Sequence, residues 1–136
     1  MNEKYLLRID QFISMGNEVL GTMRIQTNPE RTIKGHNALG EEYVQRIIPI
    51  SKYEFVDNGK YKSWITGILA YLQTHFQYSA AEYIKRVTDE SSKPYFTNGT
   101  CARVITEIVV GFRSLVESGI IQPDALIRVN IYCLIC

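Results

Sequence analysis

Residues 64–76 read WITGILAYLQTHF, and this stretch decides the fold class that the sequence predicts. Its apolar side chains recur at three- and four-residue steps, which is the spacing of one face of a helix. A second stripe of this kind runs from Cys101 to Val116. Neither helix can bury its apolar face alone, so the two are predicted to pack on each other. The side chains expected to be buried together are Trp64, Leu69, Leu72, Ile105, Ile108 and Phe112.

Working outward from this pair, the sequence predicts an all-α domain, a compact bundle of about five helices. Asp57 is the expected N-cap of the Trp64 helix, the serine and glutamate of 79–82 match a capping box, and Gly119 is the expected C-cap of the last helix. Gly16 and Gly21 interrupt the first helix, and mark either a close helix crossing or a break. The five predicted helices span about 3–25, 41–48, 57–76, 79–88 and 100–118.

Polar segments rich in turn-forming residues separate these helices. Pro29 stops the first helical pattern, and the residues up to Gly40 are interpreted as a mobile loop. Pro49 ends the second predicted helix. Residues 50–56 alternate between apolar and polar, which is compatible with an extended connector or with another helical turn. Residues 89–99 are interpreted as a loop, and the glycosylation match at Asn98 is given no chemical role.

The carboxyl-terminal segment changes character, because apolar and polar residues alternate from Ile127 to Ile135 as in a strand. In a helical domain this segment is either extended or helical despite its β-branched content. Residues 126–136 are therefore a candidate linker or interface segment. We expect this segment to lie in an intermolecular contact or against the helical core, since a free apolar edge would promote aggregation.

Length and composition predict one domain, residues 1–136, with 46% hydrophobic residues to fill its core. The formal net charge is +1, so nucleic-acid binding is disfavoured. No run approaches the roughly 20 apolar residues that span a bilayer, which predicts no membrane span. The amino terminus does not match a signal peptide, and the three cysteines then favour reduced thiols and a cytoplasmic protein.

Two cysteines, Cys133 and Cys136, have the spacing of a metal knuckle or a redox pair. A tetrahedral zinc site needs four ligands, and only Cys101 with His36 or His75 remains to complete one. The same tetrapeptide matches a prenylation signal, although its last residue is unusual and its flank is poor in basic residues. The favoured interpretation is that the cysteines are small apolar residues, with no metal and no cofactor.

His36 is the better candidate of the two histidines for a binding role, because it lies in the predicted loop near Arg31, Glu41 and Glu42. These four residues form the candidate site. His75 is interpreted as a cation at the carboxyl-terminal end of a helix. Nothing in the sequence combines a nucleophile, a base and an orienting acid, so no catalytic residues are assigned and the chain is not predicted to be an enzyme.

Nine tyrosines favour a binding surface, since tyrosine is common where one end of a ring is dry and the other is wet. Tyr71 and Tyr78 fall outside the strict apolar stripe of the Trp64 helix and are expected to be exposed. Together with the balanced charge, they point to contact with a protein partner or with a second copy in a homo-oligomer.

The order of signals from Phe55 to Ile121 resembles helical amino-terminal modules of multidomain bacterial proteins associated with phage defence and mobile elements. The similarity rests on Trp64, Leu69, Leu72 and Phe76, on the helix start at 79–83 and on the closing sequence LVESGII at 115–121. It covers about half of the chain. In that family the module acts in oligomerisation or regulation, and no catalytic residues are implied.

The predicted function is therefore a non-enzymatic helical interaction or oligomerisation module, as in the regulatory domain of a bacterial defence system. The alternative from another class is a small ligand-binding or enzymatic domain that uses the loop around His36.

Overall fold

Four α-helices and four β-strands form the part of the chain described by the computed structural model, residues 3–125. The first helix is followed by all four strands, and the other three helices come after them. A single turn of 3-10 helix, Tyr95–Thr97, precedes the last helix. The elements are α1 Glu3–Leu20, β1 Arg24–Asn28, β2 Arg31–His36, β3 Glu42–Ile48, β4 Ser51–Phe55, α2 Asn58–His75, α3 Ala81–Ser91 and α4 Asn98–Glu117.

The prediction of an all-α, five-helix bundle is wrong, because the described residues form a mixed α/β fold. The second predicted helix, 41–48, is strand β3. Its apolar residues Tyr43, Val44, Ile47 and Ile48 match a helical period, but β-branched and aromatic side chains are also the ones that favour strands. The first helix ends at Leu20 and not near residue 25, strand β1 follows it, and the predicted mobile loop contains β2.

The helices form a body around Trp64, which is fully buried. The indole Nε1 donates a hydrogen bond of 2.8 Å to the carbonyl oxygen of Phe12 on α1. Leu72, Ile105 and Phe112 are buried with Trp64 as predicted, whereas Leu69 and Ile108 are partly buried and pack against the same core. This packing joins α1, α2, α3 and α4 through one continuous apolar cluster.

The two glycines of the first predicted helix have the two different roles that the sequence left open. Gly16 lies where α1 closely crosses α2, since a Cβ there would lie 2.6 Å from Cζ2 of Trp64. Gly21 is the break, and it directly follows α1. The chain turns there, and the amide of Thr22 bonds the carbonyl of Val19 at 3.0 Å.

The four strands form two antiparallel ladders, β1 with β4 and β2 with β3. The two ladders are in register where they meet, because Asn28 lies opposite Ser51 and, three residues further on each strand, Arg31 lies opposite Ile48. The strands therefore form one two-stranded ribbon, interrupted where prolines 29 and 49 remove a backbone donor. We call residues 24–55 the arm and residues 31–48 its distal half.

Two of the three helix caps predicted from the sequence are present in the structure. The carboxylate of Asp57 accepts a 2.9 Å hydrogen bond from the amide of Lys60, and Gly119 has a φ of +79°, so both predicted caps are confirmed. The capping box at Ser79 is wrong, because the hydroxyl of Ser79 makes no hydrogen bond to the start of α3. The carboxylate of Asp124 instead accepts hydrogen bonds from the amides of Tyr78 and Ser79.

The alternating carboxyl-terminal segment, 127–135, lies outside the described residues. No helix within residues 3–125 combines the length and the apolar character that crossing a bilayer requires.

Candidate interaction surface on the β arm

The base of the arm is fixed to the body by one buried amide. Asn98, the first residue of α4, is 3% exposed. Its Oδ1 accepts a 2.9 Å hydrogen bond from the amide of Val56, and its Nδ2 donates at 3.2 Å to the carbonyl of the same residue. The side chain thus supplies both partners that a neighbouring strand would supply. The end of the arm is held at the start of α4, and within residues 3–125 no third strand pairs with it there.

Three further contacts hold the last strand of the arm against α4 and the 3-10 turn that precedes it. Gly99 allows close approach, since a Cβ there would lie 2.7 Å from the backbone carbonyl of Glu54. The carboxylate of Glu54 lies 3.2 Å from the guanidinium of Arg103. The ring of Tyr53 meets Phe96 edge to face, with ring centroids 5.7 Å apart. Strand β4 is therefore the attached strand of the arm.

Thr22 ties together the two points at which the chain enters and leaves the arm. Its Oγ1 donates to the carbonyl of Val19 at 2.6 Å and accepts from the amide of Asp57 at 2.8 Å. The end of α1 and the start of α2 are joined by this one hydroxyl. The arm therefore projects from a closed, hydrogen-bonded base.

In the distal half of the arm, β2 and β3 pack mainly on each other. Neither strand packs to a comparable extent on a helix. At about 3.4 Å per residue, the thirteen residues from Arg24 to His36 extend roughly 40 Å. An isolated two-stranded hairpin is marginally stable in water. Six large apolar side chains along the arm nevertheless keep 50% to 83% of their surface exposed, and they are Ile25, Leu39, Tyr43, Val44, Ile47 and Ile50.

Exposed apolar residues occupy both faces of the distal half. Val44 and Ile47 lie opposite Lys34 and Thr32, which are two residues apart on β2, so they share one face. On the other face the ring of Tyr43 covers Gly35, where a Cβ would lie 2.7 Å from Cζ. A shift of register between Ile33 and Lys34 marks a bulge in β3. A ribbon that exposes apolar residues on two faces has the surface of a contact element.

The structure brings together two of the four residues of the candidate site. His36 and Glu42 lie opposite each other next to the turn, with Nε2 of His36 3.9 Å from Oε1 of Glu42. This separation exceeds the length of a hydrogen bond. The carboxylate of Glu42 also lies 3.6 Å from the ammonium group of Lys34. Both side chains are more than half exposed, so water screens these contacts.

Arg31 and Glu41 do not join that pair. Arg31 begins β2 opposite Ile48, and five residues of strand place it roughly 17 Å along the ribbon from His36. Glu41 closes the turn at the tip of the arm, where its amide bonds Oδ1 of Asn37 at 3.0 Å. All four residues of the candidate site are exposed. They lie on the surface of a ribbon and form no enclosed polar site with one another.

The remaining candidates for chemistry lie elsewhere. His75 ends α2 as predicted, and its ring packs against Tyr71 and Tyr5. Cys101 is buried in the core. Cys133 and Cys136 lie outside the described residues. Within residues 3–125, no group of three or more His, Cys, Asp or Glu side chains is arranged to hold a metal ion.

The two tyrosines that were expected to be exposed differ from each other. Tyr78 is exposed, as predicted. Tyr71 is half-buried, and its hydroxyl is buried without a hydrogen-bond partner among the described residues. Burial raises the pKa of Tyr71 to about 12, and the neighbouring Tyr5 adds to the shift. Tyr71 is therefore a core residue and not part of a contact surface.

Sequence reasoning missed the residues that attach the arm. Asn98 and Gly99 were placed in a loop, because an asparagine and a glycine together are typical of turns. Nothing in the local sequence shows that an asparagine amide bonds a backbone 42 residues away. The alternation in 50–56 was the one available signal, and strand β4 confirms its extended interpretation.

Comparisons of the chain with protein-family models, with curated proteins and with solved structures found no match.

Proposed function

We propose that this chain is a non-enzymatic interaction module, in which the helical body carries the β arm as its contact element for a protein partner or a second copy. The observation that supports this proposal most directly is the apolar surface of the arm. Six large apolar side chains are at least half exposed along one ribbon, on both of its faces. Surfaces of this kind mark contact sites in folded proteins.

The charge of the arm favours a protein surface over a phosphate backbone as the partner. Residues 24–55 contain five Lys or Arg and four Glu, so positive and negative charges nearly cancel. A nucleic-acid binder needs an excess of positive charge to displace counterions. Interleaved charges beside apolar side chains are usual at the rim of a protein interface.

The base of the arm supports the same proposal. An extended ribbon loses less conformational entropy on binding when its attachment is already fixed. Asn98, Gly99 and Thr22 fix the attachment through backbone contacts. A partner that contacts the distal half would therefore bind a ribbon whose point of attachment and direction are already fixed.

A role as a regulatory module of a bacterial defence system, suggested by the resemblance over residues 55–121, is a further part of this proposal. Such modules contact other proteins and do not carry catalytic residues. The alternative of a ligand site around His36 gains no specific support from the positions of His36, Arg31, Glu41 and Glu42, because all four are exposed and only His36 and Glu42 lie opposite each other.

Site-specific crosslinking tests the proposal. A photoreactive amino acid replaces Ile47 on the arm, and in matched controls it replaces Leu7 or Ile120, which are more exposed than Ile47 and lie outside the arm. After irradiation in the native cells, we expect discrete protein adducts from position 47 and only background from positions 7 and 120. Equal adduct patterns at all three positions, or none at position 47, would contradict the arm as the contact element.

A second measurement addresses the alternative. His36→Ala should leave the adducts from position 47 unchanged, since the imidazole is exposed at the end of β2. Loss of a ligand-dependent signal, such as a thermal shift produced by a small molecule, without loss of these adducts would favour the ligand-binding alternative.

A further inference from the structure

The outer edge of β2 is the feature that carries a more specific inference. Among the described residues β2 pairs only with β3, so its second row of amides and carbonyls is unpaired. Such an edge is a template for another strand. The bulge lies in β3, whereas β2 runs without an extra residue from Arg31 to His36. The regular edge of the distal half is therefore that of β2.

Charges along this edge are self-complementary. Thr32 and Lys34 lie on one face of β2, and Glu30 directly precedes this strand. If the extended backbone continues by one residue, the side chain of Glu30 lies on the same face. If β2 lies antiparallel to a second β2 with Thr32 on the two-fold axis, Glu30 of each copy faces Lys34 of the other. Lysine on an edge normally discourages pairing, but in this register it meets a carboxylate. Glu30 forms no ion pair within residues 3–125, whereas Lys34 already lies 3.6 Å from Glu42 of its own chain. That contact is exposed and screened by water, so Lys34 would be shared between Glu42 and Glu30 of the second copy.

Pairing through β2 uses its backbone groups and not the six exposed apolar side chains of the arm, none of which belongs to β2. A two-fold contact uses the same edge on both copies. Pairing through β2 also converts two marginal ribbons into one four-stranded sheet, which is large enough for independent stability.

We propose that a second copy of this chain is the occupant of the arm, paired β2 to β2 in antiparallel orientation about a two-fold axis at Thr32. This inference rests on the proposed function, because it takes the arm to be the contact element. In the resulting sheet the row of side chains on one face is Ile47, Thr32, Thr32 of the second copy and Ile47 of the second copy. The nearly balanced charge of the arm makes this self-contact free of strong repulsion.

Charge reversal tests the register. Glu30→Lys places two lysine pairs in the dimer, and Lys34→Glu places two glutamate pairs there. Each variant alone should weaken dimerisation on the order of tenfold or more, measured by sedimentation equilibrium. A mixture of the two variants restores both ion pairs, so it should form a heterodimer as strong as the original dimer. The double variant should dimerise with itself.

Controls of the same chemistry are available on the arm. Lys52→Glu on β4 and Glu41→Lys at the tip change the same charges outside the proposed register and should leave the dimer intact. Circular dichroism of each variant checks that the fold is retained, which we expect because residues 30 and 34 are exposed.

Three outcomes would overturn the inference. The first is an intact chain that is monomeric at its highest soluble concentration. The second is a pair of single variants that dimerise like the original, and the third is a mixture of them that fails to recover the dimer. Adducts of position 47 with a different protein, together with a monomeric chain, would exclude the second copy but leave the proposed function standing. An absence of specific adducts from position 47 would remove the apolar face of the arm as a contact surface, whereas the charge-reversal variants decide the β2 contact, because β2 lies between Ile47 and the second copy.

Discussion

The body and the arm use the same kinds of apolar residue in opposite ways. In the body, Trp64, Ile105 and Phe112 are buried against other helices. In the arm, Val44 and Ile47 are more than half exposed although they stand in regular secondary structure. Apolar content therefore does not separate core from surface in this chain. Core and surface are separated by whether another element covers the residue. Helices cover one another in the body, whereas no other described element covers the distal half of the arm comparably.

The largest expected effect tests the packing of the body. Trp64→Ala removes a fully buried indole, its hydrogen bond to Phe12 and its contact with Gly16. We expect a loss of about 3–5 kcal/mol in the free energy of unfolding, measured by urea denaturation. The native tryptophan should show a fluorescence maximum typical of an apolar environment. A maximum like that of tryptophan in water would contradict the packing of the body.

The next largest effect on stability concerns Asn98, which attaches the arm to the body. Asn98→Ala leaves the buried amide and carbonyl of Val56 without their partners, and a buried unsatisfied polar group costs about 1–3 kcal/mol. We expect a loss of this size by urea denaturation, and faster hydrogen exchange at Val56. Asn17→Ala, on the exposed face of α1, is the matched control and should change stability by less than about 0.5 kcal/mol. Equal losses for both variants would show that the amide does not hold the arm.

The difference between the two regions explains what the sequence could predict. The helices of the body were recognised because a buried face selects apolar residues at a fixed spacing. The caps at Asp57 and Gly119 were recognised because they depend on neighbouring residues only. The interaction of Asp124 with Tyr78 and Ser79 was missed because it joins residues 45 or more positions apart.

The arm was misinterpreted for the converse reason. Strands show alternation where one face is buried and the other is wet. Neither face of β3 is buried, so nothing imposes alternation on residues 42–48, and the chance spacing of its apolar residues resembled a helix. Strand β4, which packs against α4, does alternate, and its extended conformation was among the alternatives considered. The candidate site around His36 was derived from a loop that does not exist as predicted, so its residues were grouped by sequence and not by space.

A third effect concerns pH and the body alone. Because burial raises the pKa of Tyr71 to about 12, the folded state retains this proton at a pH where the unfolded chain, with a pKa near 10, has lost it. The corresponding stability is complete below pH 10 and is lost as pH rises through about 12. Tyr71→Phe removes this contribution, which we place at roughly 1–2 kcal/mol after allowing for partial exposure. At neutral pH the variant should be as stable as the original or more so, because its buried hydroxyl has no partner.

The measurement is the free energy of unfolding of both proteins at several values of pH between 8 and 12. A steeper alkaline loss in the original than in Tyr71→Phe is expected. Parallel curves would show that Tyr71 is hydrated in the folded state.

The smallest expected effect on folding is the one that defines the arm as a separate region. Asn28 and Ser51 lie directly opposite each other, so an Asn-Gly type I′ turn can replace residues 29–50 and close a short hairpin. The attachment through Asn98, Gly99, Glu54 and Thr22 is unchanged in this variant. The body should keep its free energy of unfolding within about 1 kcal/mol, because the removed half buries little against it. Association measured by light scattering should be lost. A shortened chain that fails to fold would show that the distal half belongs to the body, and one that associates as before would show that the contact lies outside the distal half.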